Sequence, residues 1–364
     1  MLAETLKVVI VDDMLTYRII LSSLLRKIPG VKVVGSASNG KEALEKIKTL
    51  KPDLVTLDIE MPVMDGLKTL EEIKKNWPEI GVIMVSGANK KNADITVKAL
   101  QRGALSFIVK PDANSPEEAK EYLLSSLRKE IGAFIEGLRK RVPRRRPTPK
   151  IPERPTTKKA PERPTTRVVP PRNPQVVALG ISTGGPKALS EVIPKLPGDL
   201  PFPIVLVQHM PPLFTKSLAD SLDRKSKLKV KEAEKGETVE PGTVYIAPGG
   251  HHMVVKKSGV KRIIDLNDNP PEHGCRPAVD VLFRSVAEAF EPKKTVAVVM
   301  TGMGDDGCQG AAMLKRKGAY CIAQNEESCV VYGMPRCLVE KGIAHEVLDL
   351  SEIPRAITKL AGRG

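Results

Sequence analysis

Val176-Val177-Ala178-Leu179-Gly180-Ile181-Ser182-Thr183-Gly184-Gly185-Pro186 holds three signals in succession. Val176–Leu179 is an apolar run of the length a buried strand needs. Gly180 to Gly184 fits Gly-x-Ser-x-Gly, a strand-to-helix elbow that lifts a serine hydroxyl out of the backbone at a sheet edge. Glycines on both sides allow the sharp turn, and the helix start that follows presents free N–H groups. Gly-rich turns after strands also bind phosphate or merely turn, so this segment alone leaves nucleophile, phosphate cradle and plain turn open.

A serine nucleophile needs a base, and the chain has five histidines. His209 follows the strand-like run Ile204–Gln208 and so shares the serine's position at a strand's carboxyl end. It also precedes Met210-Pro211-Pro212, which stiffens the loop. His251, His252, His273 and His345 sit in loops or near the end, where a lone histidine is usually only solvated. A third apolar run, Thr295–Met300, leads into Thr301-Gly302-Met303-Gly304-Asp305-Asp306-Gly307 and offers Asp305 and Asp306 as the orienting acid, though either suits a turn. The order Ser…His…Asp differs from the Ser…Asp…His of α/β-hydrolases, so the elbow does not imply that fold.

Outward from this segment the charge is uneven. The chain of 364 residues carries +15, yet residues 1–138 hold 20 Lys/Arg against 19 Asp/Glu, and residues 173–364 hold 25 against 22. Arg139 to Arg172 holds 13 against 2, with 9 of the 31 prolines, and Pro152-Glu153-Arg154-Pro155-Thr156-Thr157-Lys158 returns as Pro161-Glu162-Arg163-Pro164-Thr165-Thr166-Arg167. So dense a mix of proline and like charge neither buries apolar surface nor propagates a helix. It is expected to be a stiff, extended tether between two nearly neutral globules, a solvated spacer before it is a binding arm for an acidic partner. Neither globule is basic, which removes the main support for a DNA-binding regulator. No apolar run reaches the ~18 residues of a membrane helix, and Met1 to Lys7 has no signal-peptide pattern. The five cysteines, an odd number without a Cys-x-x-Cys pair, suggest reduced thiols in a cytoplasmic protein, not a disulfide framework or zinc site.

In the first globule, runs at Val8–Val11, Val31–Gly35, Leu54–Leu57, Val82–Val85 and Phe107–Val109 alternate with amphipathic stretches such as Leu15–Ile28, Lys41–Leu50 and Ala93–Arg102. Strand–helix alternation of this kind implies a doubly wound parallel sheet, whose ligands sit off the strands' carboxyl ends. Asp12-Asp13, Asp58, Ser86 and Lys110 stand at those ends. Carboxylates converging on one rim repel unless a divalent cation sits among them, and hard oxygen ligands suit Mg²⁺. A lysine beside them pairs with added phosphoryl oxygens, and a serine hydroxyl can follow the new charge. Any one aspartate could be a helix cap or turn former. Together with the loop Glu60-Met61-Pro62-Val63-Met64-Asp65-Gly66, the set is hard to read that way.

These residues resemble those of a response-regulator receiver domain, with all five marker positions filled. The receiver, the tether and the three motifs of the second globule together resemble the CheB family, chemotaxis protein-glutamate methylesterases that also act as protein-glutamine glutaminases. Tyr245–Gly249, Arg276–Phe283, Ala323–Glu326 and Val330–Pro335 extend the likeness over the whole chain except the tether. It implies an α/β fold class: a doubly wound (βα)5 receiver domain over 1–138, a linker over 139–172 and a doubly wound, mainly parallel-sheet α/β esterase domain over 173–364. It further implies a phosphorylation-regulated serine hydrolase with Ser182 as nucleophile, His209 as base and Asp306 as acid. Met303, through its backbone N–H, and Thr183 fall on the oxyanion side. In the receiver, Asp58 becomes the phosphoacceptor, Asp12 and Asp13 the acidic pair, Ser86 and Phe107 the switch positions and Lys110 the phosphate-sensing lysine. Mg²⁺ is expected on Asp13, Asp58 and the Glu60 carbonyl, with no cofactor for the hydrolase. The implied partners are methyl-accepting chemoreceptors as substrate and the histidine kinase CheA as phosphodonor, with no specific nucleic acid and no membrane insertion. The receiver is expected to pack over the esterase crevice until Asp58 is phosphorylated. Ala278 stands where many members have Ser, and Asn325 where Asp is common. A response regulator with a binding-only output is the rival reading, and the complete Ser/His/Asp set argues against it.

Overall fold

The computed structural model describes residues 5–111, 115–141 and 169–362. In the N-terminal half, β1 (Leu6–Val11), β2 (Val31–Ala37), β3 (Leu54–Asp58), β4 (Gly81–Gly87) and β5 (Ser106–Lys110) alternate with α1 (Leu15–Leu25), α2 (Gly40–Leu50), α3 (Gly66–Asn76), α4 (Lys90–Gln101) and α5 (Pro116–Arg141). The strands pair in parallel in the order β2-β1-β3-β4-β5. Every residue of β3 is buried, as expected of a strand covered by helices on both faces. Helix starts are fixed by side chains: Asn39, Asp65 and Asn89 accept from the N–H groups of Glu42, Lys68 and Asn92. α5 runs to Arg141, three residues past the expected boundary at 138, because Arg139-Lys140-Arg141 can still be helical and the stop comes only ahead of Pro143. Of the tether, residues 142–168 lie outside the described residues.

The C-terminal half contains β6 (Val176–Ile181), α6 (Gly185–Val192), β7 (Ile204–Gln208), α7 (Phe214–Asp223), β8 (Lys229–Glu232), β9 (Thr243–Ile246), β10 (His252–Ser258), β11 (Lys261–Asn267), α8 (Val279–Ala289), β12 (Thr295–Val299), α9 (Cys308–Arg316), β13 (Tyr320–Gln324), α10 (Met334–Glu340), β14 (Glu346–Leu348) and α11 (Ile353–Leu360). Seven strands form one parallel sheet in the order β14-β13-β12-β6-β7-β9-β8, and β10 and β11 form a separate antiparallel hairpin. The chain winds outward from β6 in one direction through β7 and returns to its other side at β12. The sheet therefore has its switch point between β6 and β12, where a crevice opens at the strands' carboxyl ends.

The two halves meet along α4, which packs on α6 and α7. Gln101 Oε1 accepts from Ser221 Oγ at 3.1 Å and Lys225 Nζ at 2.8 Å. Phe107 of β5 stacks on Phe214 of α7 with centroids 4.5 Å apart, an arrangement worth about 0.5–1.5 kcal/mol beyond its burial.

The expectation of five reduced thiols is corrected in one respect. Cys308 and Cys337 are joined as a disulfide, with Cα atoms 6.0 Å apart, while Cys275, Cys321 and Cys329 are free. The partners are 29 residues apart and become neighbours only because α9 and α10 pack side by side. Parity and spacing carry no trace of that.

Candidate active site

Ser182, His209 and Asp306 follow β6, β7 and β12, three adjacent strands, and so share one rim. Polar ties between the loops set their relative heights. Ser182 N–H donates to Thr301 O at 2.9 Å, Thr301 Oγ1 to Thr183 O at 2.9 Å, and Gln208 Nε2 to Ser182 O at 3.0 Å. The elbow depends on glycine at two places. Gly184 has φ +81, and a Cβ on Gly302 would lie 2.9 Å from Ser182 Cβ and 2.3 Å from Met334 Sδ.

His209 Nε2 lies 2.7 Å from Asp306 Oδ2. Asp306 is buried, and its Oδ2 and Oδ1 also accept the N–H groups of Val279 at 2.7 Å and Asp280 at 2.8 Å. Those are the first two residues of α8, whose N-cap, Ala278, has no side-chain cap. The Asp306 carboxylate therefore caps that helix from outside, and the helix's positive end stabilises its charge. Burial pushes the Asp306 carboxyl up, but His209 and these N–H groups outweigh it and hold the pKa below the ordinary value. Burial likewise disfavours the His209 imidazolium, yet the hydrogen bond to Asp306, reinforced by the Cys275 thiol, raises its pKa to about 9. Asp305, the other candidate acid, is exposed and lies 3.3 Å from His273 Nδ1.

Ser182 and His209 line one cavity of about 180 Å³, together with Thr183 and Gln208 and, from the N-terminal half, Phe107 and Glu130. Among the described residues no hydrogen bond joins the Ser182 hydroxyl to His209. The N–H groups of Thr183 and Met303 are not committed to hydrogen bonds among the described residues, though Met303 does not line this cavity. Sequence reasoning did not single out Cys275, Gln208, Asp280 or His273 as parts of the site. Cys275 is part-buried; burial raises its thiol pKa, and a hydrogen bond to His209 overcomes that and lowers it. His252, by contrast, is buried and bonded to Pro270 O at 3.1 Å. Asn325 accepts from Ser328 N at 3.1 Å and so fixes the turn after β13.

A second constellation sits at the other sheet's rim. Lys110 Nζ is 2.7 Å from Asp58 Oδ2 and 2.9 Å from Asp12 Oδ2, and carboxylate oxygens of Asp12, Asp13 and Asp58 lie within 4.8 Å of one another. Burial raises the Asp58 pKa, with Lys110 opposing. Ser86 accepts from Thr96 Oγ1 of α4 at 3.1 Å, so its hydroxyl touches the helix at the interface between the halves.

The CheB methylesterase family matches residues 177–357, and the response regulator receiver domain family matches residues 8–119. A relative from Desulfotalea psychrophila, named protein-glutamate methylesterase/protein-glutamine glutaminase, is 46% identical over 97% of this chain and 98% of its own length. The chain belongs to the CheB family. A relative of the same name from Bacillus subtilis is 43% identical over 97% of this chain and 98% of its own. The crystal structure of the Thermotoga maritima CheB methylesterase catalytic domain is 48% identical, with a TM-score of 0.50 over 51% of this chain and 98% of that one. The chain thus joins a receiver domain to a methylesterase domain. No helix among the described residues is long and apolar enough to cross a membrane.

Proposed function

We propose that Ser182, His209 and Asp306 carry out the reactions for which the relatives are named, hydrolysis of glutamate γ-methyl esters and deamidation of glutamine on chemoreceptors, under control of Asp58. The 2.7 Å His209–Asp306 pair on the strand ends beside Ser182 carries this reading. Asp306 occupies Nε2, so Nδ1 is the nitrogen left to take the serine proton; Asp306 fixes that tautomer and offsets the imidazolium charge without itself being protonated. Ser182 Oγ attacks the γ-carbonyl. The N–H groups of Thr183 and Met303 hold the tetrahedral oxyanion, each donor contributing roughly 2.7–4 kcal/mol in comparable hydrolases. Methanol leaves with the proton from His209, and water then hydrolyses the acyl-enzyme. With a glutamine substrate the same steps release ammonia.

The arrangement described above is a resting one. The pair with Asp306 favours the imidazolium over the neutral base that must take the serine proton, and the receiver's β5 and α5 close one side of the cavity. Phosphorylation of Asp58 by a histidine kinase of the CheA type adds roughly −1.5 to −2 charge beside Lys110. Lys110 is the last residue of the strand that carries Phe107, and Ser86 bonds to α4 through Thr96, so two of the elements that touch the esterase, β5 and α4, are re-aimed. Asp13, Asp58 and the Glu60 carbonyl are the groups to hold Mg²⁺. The close set of Asp12, Asp13 and Asp58 carboxylates fits it. When bound, the ion neutralises charge on the phosphoryl oxygens. We assign 1–138 to the receiver, 139–172 to the linker and 173–364 to the esterase, in a protein acting in the cytoplasm.

The test is mass spectrometry of methylated receptor membranes incubated with the full chain. Loss of methyl groups and conversion of glutamine to glutamate are expected from the wild type and from neither Ser182→Ala nor His209→Ala. Full activity in Ser182→Ala would exclude this nucleophile.

A further inference from the structure

Behind Asp306 lies a second imidazole–carboxylate pair. His273, in the loop before α8, places Nε2 3.0 Å from Asp280 Oδ2 and 3.9 Å from Asp306 Oδ1, and Nδ1 3.3 Å from Asp305 Oδ1. Asp280 and Asp306 are both shut off from water, and Asp306 Oδ1 accepts the Asp280 N–H, so their carboxylates are near neighbours. Two buried carboxylates so placed each make the other harder to ionise. Burial, the Asp306 charge and only partial relief from the Gly310 N–H, 2.6 Å from Asp280 Oδ1, push the Asp280 carboxyl up. Arg284, one turn along α8, is taken by Glu272. The groups packed round the pair are Asp305 and Asp306 from the loop after β12, Asp280 from α8, His209 from the loop after β7, and Cys275 and His273 from the loop before α8. Of these, only the two histidines can be positive; Lys129 of α5 acts on Cys275 and lines the cavity with His209, but among the described residues it makes no ion pair with either carboxylate. His209 must give up its charge for catalysis, which leaves His273. Burial disfavours its charged form, but Asp306, Asp280 and Asp305 together raise its pKa above the ordinary value.

We propose that His273 is a positioning residue for the hydrolysis, its positive charge on Asp280 allowing Asp306 to stay ionised and fixed against His209 while His209 itself becomes neutral. His273, Asp280 and Asp306 are close enough to suggest a cation site, but each of their four carboxylate oxygens already accepts a hydrogen bond from a backbone N–H or an imidazole. The proposal rests on Asp306 and His209 acting as assigned above.

The experiment compares His273→Asn, His273→Lys and Asp280→Asn in the full chain. His273 has φ +52, a conformation that Asn also tolerates, so His273→Asn removes the charge with the least disturbance of the backbone. Two quantities are read: the rising limb of the pH profile of kcat/KM for methanol release, and the His209 ring titration by NMR in a Ser182→Ala background. Loss of the His273 charge favours the His209 imidazolium, so His273→Asn moves both upward by about one pH unit. Loss of the Asp280 charge moves both downward, and His273→Lys restores the wild-type position. Unmoved titrations, or displacement of the two neutral variants in the same direction as a merely structural loss would give, overturns the proposal. If His273→Asn does not fold, Asp280→Asn alone decides by the direction in which His209 moves. The NMR arm needs no activity, so failure of the Ser182 assignment is seen separately from failure of this one.

Discussion

At Asp306 three donors converge on two oxygens, and most of the site's behaviour follows from that arrangement. Asp306→Asn keeps the size of the side chain but presents the wrong partner to the imidazole. It is expected to lower kcat for methanol release about 10⁴-fold, with KM nearly unchanged. The same substitution tests the pH dependence of stability. The His209 pKa is raised from 6.5 to about 9 in the fold, so the pair's contribution is fully present below pH 6.5 and is lost as the pH rises through 9. The Tm gap between wild type and Asp306→Asn should therefore be widest near pH 6 and narrow by pH 9.5 in differential scanning calorimetry. A gap that widens with pH would mean that His209 is neutral in the folded chain. At this scale the sequence offered Ser182 and His209 by position alone. The motif itself left Asp305 and Asp306 equal, because adjacent residues differ only in which way their side chains face, and only the family resemblance pointed to Asp306. The contributions of Cys275, Asp280 and His273 were not legible, since each depends on a loop folding back towards the end of β12.

Between elements, the helices supply polar ends as well as apolar faces. α8 begins without a side-chain cap, and the carboxylate that completes it comes from another strand's loop. Ala278 has no side-chain oxygen to offer, which leaves the two N–H groups to Asp306. The disulfide ties the start of α9, two residues after Asp306, to α10. A closed loop of this length contributes about 3–4 kcal/mol. Cys308→Ser with Cys337→Ser is expected to lower Tm by roughly 5–15 °C, as is incubation of the wild type with a strong reductant. Equal melting curves with and without reductant would show that the thiols are not bonded in solution.

Across the whole molecule, the receiver reaches the esterase through α4, β5 and α5 at once. Phe107→Ala removes the ring that stacks on Phe214 and should raise the activity of the unphosphorylated chain about 2- to 10-fold, the factor that about 0.5–1.5 kcal/mol of stacking corresponds to. Asp58→Ala should leave that basal rate in place while abolishing the response to a small-molecule phosphodonor with Mg²⁺; both are read by methanol release. Much of this architecture was already set along the chain. Alternating apolar strands and amphipathic helices dictate the doubly wound sheet of the first globule, because fully apolar strands need helices on both faces, and the family resemblance extended that expectation to the second. Strand-end polar residues mark the two rims, and the proline- and charge-rich stretch marks where a core cannot form. The tertiary structure alone decided that Cys308 and Cys337 are bonded, that Cys275, Asp280 and His273 gather round the His209–Asp306 pair, and which residues of β5 and α5 close the serine's cavity. Such contacts join residues tens to more than a hundred positions apart, and no local periodicity records which distant surfaces will meet.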